Sequence, residues 1–426
     1  MLIGSPEPTA HFLPFYKRFF LLNPLNKGLV IDGRNALPKA LSYQHLLLVA
    51  PSGFGKTTRY VINNALQLHG TCSAVFTDPS GEIFHTCAPF LKRKGYNIQR
   101  LDLRPHQTGL QYNPFFRVKN ASDANKMAHI LLHTAYPNIK GDTFWIDGAK
   151  ALINLLILYL IQRDQHSTPT LLDLYQLLFQ LSYNPKECSS SFFQHLTPLQ
   201  KAHYQAFCAQ DSKIIAGTLS TCKAALHMLA DPHVQAITQK ESIHFEQLRE
   251  RPTALFIIVA EQDIPYFQFL LSLFYSQLFR ACLHFKAPNK VFLPIRFFLD
   301  EFGNMNIPHF PSYITVLRKY KVSVSIIIQE LEQLFFQYQQ QAQTIIDGGC
   351  SHHLYYPGLG LETCTKLEKI LGYTDNRKPL MASDHIRTLR SNQALFISGN
   401  KRPILLKTRP WFKQWRLRKR GVFSKK

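Results

Sequence analysis

The chain has 426 residues, 46% apolar and 18% charged, a balance that excludes a largely disordered protein. That length exceeds one ordinary compact core and calls for two or three units. A formal charge of +22 and a pI near 9.7 favour polyanionic partners, nucleic acid or an anionic membrane face, unless the excess serves solubility alone; charge does not dictate fold.

From the N-terminus, Met1-Leu2-Ile3-Gly4 soon runs into Pro and Glu, so no secretory leader is expected. Leu46-Leu47-Leu48-Val49 is a continuous apolar run, as in a strand covered on both faces. A Gly-containing loop follows, then a helix over about 57–68. A second strand is expected over 73–77. The helix after it, 82–94, sets Phe84, Cys87, Ala88 and Leu91 on one face, and a third strand follows over 97–101. Two successive β–α–β units imply a parallel sheet with right-handed crossovers.

Residues 122–250 are rich in Leu, Ala, Gln and His at helical spacing and read as an inserted all-α domain. Its longest apolar run, 151–161, is broken by Asn154 and falls below the ~18 residues needed to span a bilayer, so a buried helix is expected and no transmembrane segment. Strand patterns return at 253–259, 295–299, 322–328, 353–356 and 394–398. The expected organisation is a nucleotide-binding domain in two parts, 1–121 and 251–400, around the insertion, followed by a basic tail over 401–426. The eight cysteines, Cys188 among them, are scattered without a C-x-x-C pair, which points to reduced thiols in a cytosolic protein.

The loop after the first strand reads Ala50-Pro51-Ser52-Gly53-Phe54-Gly55-Lys56-Thr57 and, apart from Ala50, fits the phosphate-binding pattern G-x-x-x-x-G-K-[ST]. Small residues let successive backbone N–H groups curl around a phosphate, and the following helix adds its positive end. Lys56 reaches the β- and γ-phosphates of ATP, Thr57 ligates Mg2+, and the candidate nucleotide-binding stretch runs from Ala50 through Thr58. The alternative is a chance glycine turn before a helix, but the strand-loop-helix context is the one the motif requires.

Such a loop needs a carboxylate on a neighbouring strand. Ile295-Arg296-Phe297-Phe298-Leu299 ends in Asp300 and Glu301, which would serve the metal and the attacking water; alone, such a pair is often a solvated turn. Gln329, just past the 322–328 strand, suits a γ-phosphate sensor or simply ends a strand.

With these residues in place the sequence resembles the type IV coupling proteins, the TraG/TraD-like ATPases of conjugative transfer. The resemblance covers about 28–406 and rests on an ordered set of stretches. These are His45 to Pro51 with its loop, Asp78-Pro-Ser-Gly-Glu82, Tyr112-Asn-Pro-Phe115, Phe144-Trp-Ile-Asp147, Leu299-Asp-Glu-Phe302, Gln329-Glu-Leu-Glu-Gln-Leu334, Leu361-Glu-Thr363 and Leu380-Met-Ala-Ser-Asp-His-Ile-Arg387. It implies an α/β, RecA-like P-loop NTPase with an all-α domain inserted, a homo-hexameric ring, and ATP-driven movement of DNA from a relaxosome to a type IV secretion channel. Arg318 matches a basic position of the family, either an arginine finger for a neighbouring subunit or an ordinary surface or DNA-facing residue.

Two departures stand out. The family usually begins with two membrane helices, which are not seen here, so a soluble variant, a membrane-anchored partner or a truncated chain is implied, peripheral at the inner membrane face. The family's lysine in the Asp-Pro-Lys-Gly-Glu stretch is Ser80. Phe144 and Trp145 read as a core anchor in preference to a substrate contact. The tail, with Trp411, Phe412 and Trp415 among its basic residues, suits DNA phosphates first, then a cytoplasmic leaflet or a solvated end. Besides the DNA motor, two other functions fit: a nucleotide-dependent docking platform without pumping, and a motor for protein effectors.

Overall fold

The computed structural model describes residues 9–137, 143–163, 167–183, 195–284 and 292–422. These form two compact units. The first comprises Met1–Arg100, Phe245–Ile264 and Ala281–Lys426, and the second Leu101–His244 and Pro265–Arg280.

The first unit is centred on a sheet of β1 (Leu46–Val49), β2 (Ser73–Asp78), β3 (Asn97–Asp102), β4 (Thr253–Ile258), β5 (Ile295–Leu299), β6 (Val322–Ile328), β7 (His352–Tyr355), β8 (Gln393–Ser398) and β9 (Ile404–Lys407). Their spatial order is β3-β4-β2-β5-β6-β1-β7-β8-β9. The strands from β4 to β7 pair in parallel, while β8 and β9 run antiparallel. Every residue of β1, β2, β4, β5 and β6 is buried; β1 is accordingly apolar throughout, whereas Arg296 in β5 and Ser323 and Ser325 in β6 are buried polar side chains that bond to the Gly28 carbonyl, the Ser42 carbonyl and the Tyr60 hydroxyl. On one face Phe76 stacks between Phe256 and Phe298, with centroids 5.0 and 5.2 Å away, so three neighbouring strands share one aromatic layer.

Eight of the nine strands were legible in the sequence, but their order was not. The expected β–α–β units are parallel, yet β1 and β2 are separated by β5 and β6, and β3 lies beyond β4. The carboxylate strand β5 is therefore not the neighbour of β1, because β6 runs between them and pairs with both.

The second unit is helical, and it also takes in 101–121 and Pro265–Arg280, which the sequence pattern assigns to the nucleotide-binding domain. Long-range bonds explain their place: the Tyr112 hydroxyl donates to Gln277 Oε1 at 2.8 Å, Arg280 pairs with Asp123, and Arg117 pairs with Glu241 at 3.0 Å. Helix Phe144–Arg163 is 20 residues long and, by length and composition, long and apolar enough to cross a membrane. Leu152, Ile153, Leu156, Ile157 and Leu160 are buried, the mark of a core helix. Phe144 and Trp145 at its start are 50% and 41% exposed, so the expected buried anchor is not found; the Trp145 ring edge packs over Gly217, and the Phe144 ring meets Trp145 edge-on at 5.2 Å.

The basic C-terminal stretch is not a separate tail. Residues 404–407 add β9 to the sheet, and Trp411 and Leu417 are buried. Asn63 Nδ2 donates to the Arg409 carbonyl at 2.9 Å, Gln414 Nε2 to Asn63 Oδ1 at 2.8 Å, and Arg420 to the Leu66 carbonyl at 2.9 Å. The density of Lys and Arg hid the apolar positions that dock it, while Trp415 remains 65% exposed. The ends of the chain at 1–8 and 423–426, and Cys188, lie outside the described residues; the other cysteines are free thiols.

This packing generates two expectations. Trp411→Ala should cost about 3–5 kcal/mol, read by denaturant unfolding. Separately, the Val324 N–H donates to His45 Nδ1 at 3.0 Å, and burial lowers the His45 pKa from 6.5 to about 4. Its contribution to stability is therefore present above pH 6.5 and lost as pH falls towards 4. The destabilisation caused by His45→Asn should shrink by up to about 1.4 kcal/mol per pH unit across that range; Asp78 and Asp300, whose raised pKa values act in the opposite sense, are common to both proteins and cancel.

Candidate nucleotide-binding site

The parallel register ends β1, β2, β5 and β6 along one edge: Val49 pairs with Ile328, Leu299 with Ile326, and Thr77 with Leu299. The residues just past each strand are thereby gathered at that edge, where open α/β sheets bind ligands. After β1, Ala50 is still held to the sheet through its N–H to the Ile328 carbonyl at 3.0 Å. The loop then turns at Gly53 (φ +84°) and Gly55 (φ +77°). A Cβ at Gly53 would meet nothing, so its glycine answers to backbone conformation alone. Pro51 and Phe54 are half-buried, and Ser52 is exposed.

Lys56 is buried at the start of the helix, and its ammonium is paired with Glu301 Oε1. The helix opens as a π-turn over Thr57–Val61 before becoming α-helical, a widening often found at functional positions. The Thr57 hydroxyl donates to Asp300 Oδ2 at 2.7 Å, and Thr58 Oγ1 donates back to the Gly55 carbonyl at 3.2 Å. Gln329 Nε2 donates to Glu301 Oε2 at 3.0 Å, so Gln329, just past the strand between the loop and the carboxylates, completes a chain from Lys56 through Glu301. Glu301 holds φ +55° and ψ +34°, a left-handed conformation that costs a non-glycine residue energy and clusters at functional sites.

The electrostatics are those of a site short of positive charge. Asp300, Glu301 and Lys56 are all buried. Burial raises the Asp300 pKa to about 7, the nearby Glu301 charge adds to the shift, and the Thr57 bond and Lys56 oppose it. Asp78, at the end of β2, is likewise raised by burial to about 6, against the N–H groups of Phe84, Ile83 and Gly81. An incoming cation would stabilise the ionised form of both carboxyls. Hard oxygen donors on Thr57 and Asp300 suit Mg2+, which binds through one or two protein oxygens together with substrate phosphates.

Of the residues expected at the site, Ala50 to Thr58, Asp300, Glu301 and Gln329 converge. Arg318 does not. It is exposed on the turn Arg318–Tyr320 before β6, at the other end of the strands, about 20 Å away along a seven-residue strand. Glu261 was missed: its Oε1 lies 3.4 Å from Gln329 Nε2. The available signal was its place three residues after β4, on the same edge. The loop following β7 was missed as well. Gly358 (φ +82°) packs so tightly on Phe54 that a Cβ would come 2.6 Å from the ring, and Glu330 Oε1 accepts the Gly360 N–H at 3.2 Å.

A parallel sheet with a glycine loop, a buried Lys, and paired carboxylates one strand removed defines a P-loop nucleotide-binding protein of RecA-like fold. The profile of the type IV secretory system conjugative DNA transfer family matches residues 22–378, and the chain belongs to that family. VirD4 of Rhizobium radiobacter is 25% identical over 404 residues, covering 89% of this chain and 57% of VirD4. VirD4 of Rhizobium rhizogenes is 24% identical, covering 88% of this chain and 59% of the relative; the chain thus spans under two thirds of the proteins it matches. Among solved structures, the plasmid coupling protein TrwB in complex with ADP and Mg2+ superposes with a TM-score of 0.73 at 18% identity, over 95% of this chain and 96% of TrwB.

The tight seat of Phe54 is testable. Gly358→Ala should displace the loop and weaken nucleotide binding by about tenfold or more, given ~1–3 kcal/mol of overpacking. Adding Phe54→Ala should recover part of that loss in a nucleotide titration.

Proposed function

We propose that this chain is an ATP-driven motor that delivers DNA to a type IV secretion channel, working as a homo-hexamer at the inner face of the bacterial membrane with a relaxosome and a membrane-anchored partner. The observation that carries the reading is the bonded chain Lys56–Glu301–Gln329 beside the Thr57–Asp300 bond. A site built only to hold nucleotide has no need of a second carboxylate in a costly conformation joined to a polar strand end. Membership of the conjugative DNA transfer family supports the DNA substrate, and the ADP and Mg2+ carried by TrwB support the ligands.

Lys56 and the N–H groups of residues 52–58 would hold the β- and γ-phosphates of ATP, the phosphate competing with Glu301 for the ammonium. Thr57 and Asp300 would hold Mg2+, which supplies charge neutralisation between those phosphates. Glu301, released from Lys56, orients the attacking water and takes its proton. Gln329 keeps Glu301 in register and reports the γ-phosphate. Arg318, remote from its own site, acts from a neighbouring subunit if it contacts nucleotide at all.

The test is ATP hydrolysis by purified protein with and without DNA, across a salt series. Hydrolysis should rise with DNA, and the stimulation should fall as salt screens phosphate contacts. Lys56→Ala should lose both binding and turnover. Glu301→Gln should keep binding and lose about 100-fold or more in turnover, the scale of general-base catalysis. Nucleotide binding without turnover in the parent protein would overturn the motor reading.

A further inference from the structure

The short helix Phe15–Leu21, Phe-Tyr-Lys-Arg-Phe-Phe-Leu, is turned inside out. Leu21 and Leu22 anchor it in the core, whereas Phe15, Tyr16, Phe19 and Phe20 are 86%, 66%, 57% and 81% exposed. Spacings of one and four residues set these rings on a single broad face. Leu25, 83% exposed, extends it. Isolated apolar residues on a surface need no explanation, but a contiguous group of this kind marks an interaction site. The helix is also held in place. Arg18 reaches Asp32 at 3.4 Å, and Leu13 donates its N–H to the Pro403 carbonyl at 2.9 Å, which brings the exposed pair Lys401 and Arg402 beside the N-terminal segment.

The two stretches of chain that form this region carry no acidic residue, none from 8 to 31 and none from 385 to 426, and Asp32, which meets the helix at Arg18, is buried. Hydrocarbon rings projecting outward, flanked by Lys17, Lys401 and Arg402 with no carboxylate in those stretches, match an anionic lipid surface. Rings enter the headgroup boundary, and cations meet the phosphates. Duplex DNA would be met by cations standing outermost; here the rings do, and Lys17 lies back over Tyr16, 5.9 Å from its centroid.

We infer that the face formed by Phe15, Tyr16, Phe19 and Phe20 is a docking surface for an anionic bilayer, with Lys401 and Arg402 as its electrostatic partners. This deepens the membrane-side placement proposed above and is independent of the nucleotide site, so hydrolysis and lipid binding are read separately.

The experiment is sedimentation of the full chain with vesicles of equal phosphatidylglycerol and phosphatidylcholine, and with phosphatidylcholine alone. The protein should pellet with the anionic vesicles, less so as salt is raised, and little with the neutral ones. Replacing Phe15, Phe19 and Phe20 together by Ser should lower partitioning about tenfold or more while hydrolysis and thermal unfolding stay near the parent values. Lys401→Glu with Arg402→Glu should remove the preference for anionic lipid. Phe20→Trp should add emission that brominated acyl chains quench. Failure to bind anionic vesicles, undiminished binding by the triple variant, or an unquenched Trp on bound protein would each overturn the proposal. A triple variant that changes oligomeric state but not lipid binding would assign the face to a contact between copies and overturn it too.

Discussion

Three parallel strands that stop on the same line govern the chemistry of this protein. Because β6 pairs with β1 on one side and β5 on the other, the phosphate loop, the Gln329 amide and the Asp300–Glu301 pair emerge side by side from one rigid edge. The loop and the carboxylates are far apart in sequence; Thr57 and Asp300 are bonded across 243 positions. Registry set by hydrogen-bonded strands is more precise than any loop, and the buried aromatic layer of Phe76, Phe256 and Phe298 ties β5 in turn to β2 and β4.

The same edge concentrates what a stable core avoids. Lys56, Asp78, Asp300 and Glu301 are all buried there, so one cation faces three carboxyls, and burial lifts two of their pKa values well above the ordinary carboxylate range. Desolvation makes that arrangement unfavourable in the protein alone. A metal cation would change the balance by supplying the positive charge that the site lacks, so affinity and strain are two faces of one arrangement. Gly358, pressed on Phe54, adds a packing constraint from outside the motif.

Much of this was readable from residues alone. A continuous apolar run marked β1 because both its faces are covered, β-branched and aromatic residues marked β5 and β6, and Gly, Lys and Thr at fixed spacing marked the loop. The features that escaped are those that depend on contacts far apart in the chain. Strand order is decided by crossovers and not by local pattern. Glu261 gains its place only because β4 ends on the same edge. Residues 265–280 look like any amphipathic segment until Gln277 and Arg280 meet Tyr112 and Asp123. The C-terminal stretch misled through composition: a few buried apolar side chains among many cations decide its place. Phe144 and Trp145 misled in the other direction, since aromatic character at the start of an apolar helix does not reveal which side is covered.

The C-terminal wrap ties the order of synthesis to the order of assembly. Arg59, two residues beyond Thr57, reaches the Thr408 carbonyl and hydroxyl across 349 positions, and Asn63 meets Gln414 across 351. The helix that carries Thr57 therefore leaves the ribosome long before the segment that braces it. The chain must extend a further 349 positions past Arg59 before the strand end that braces this helix can be reached.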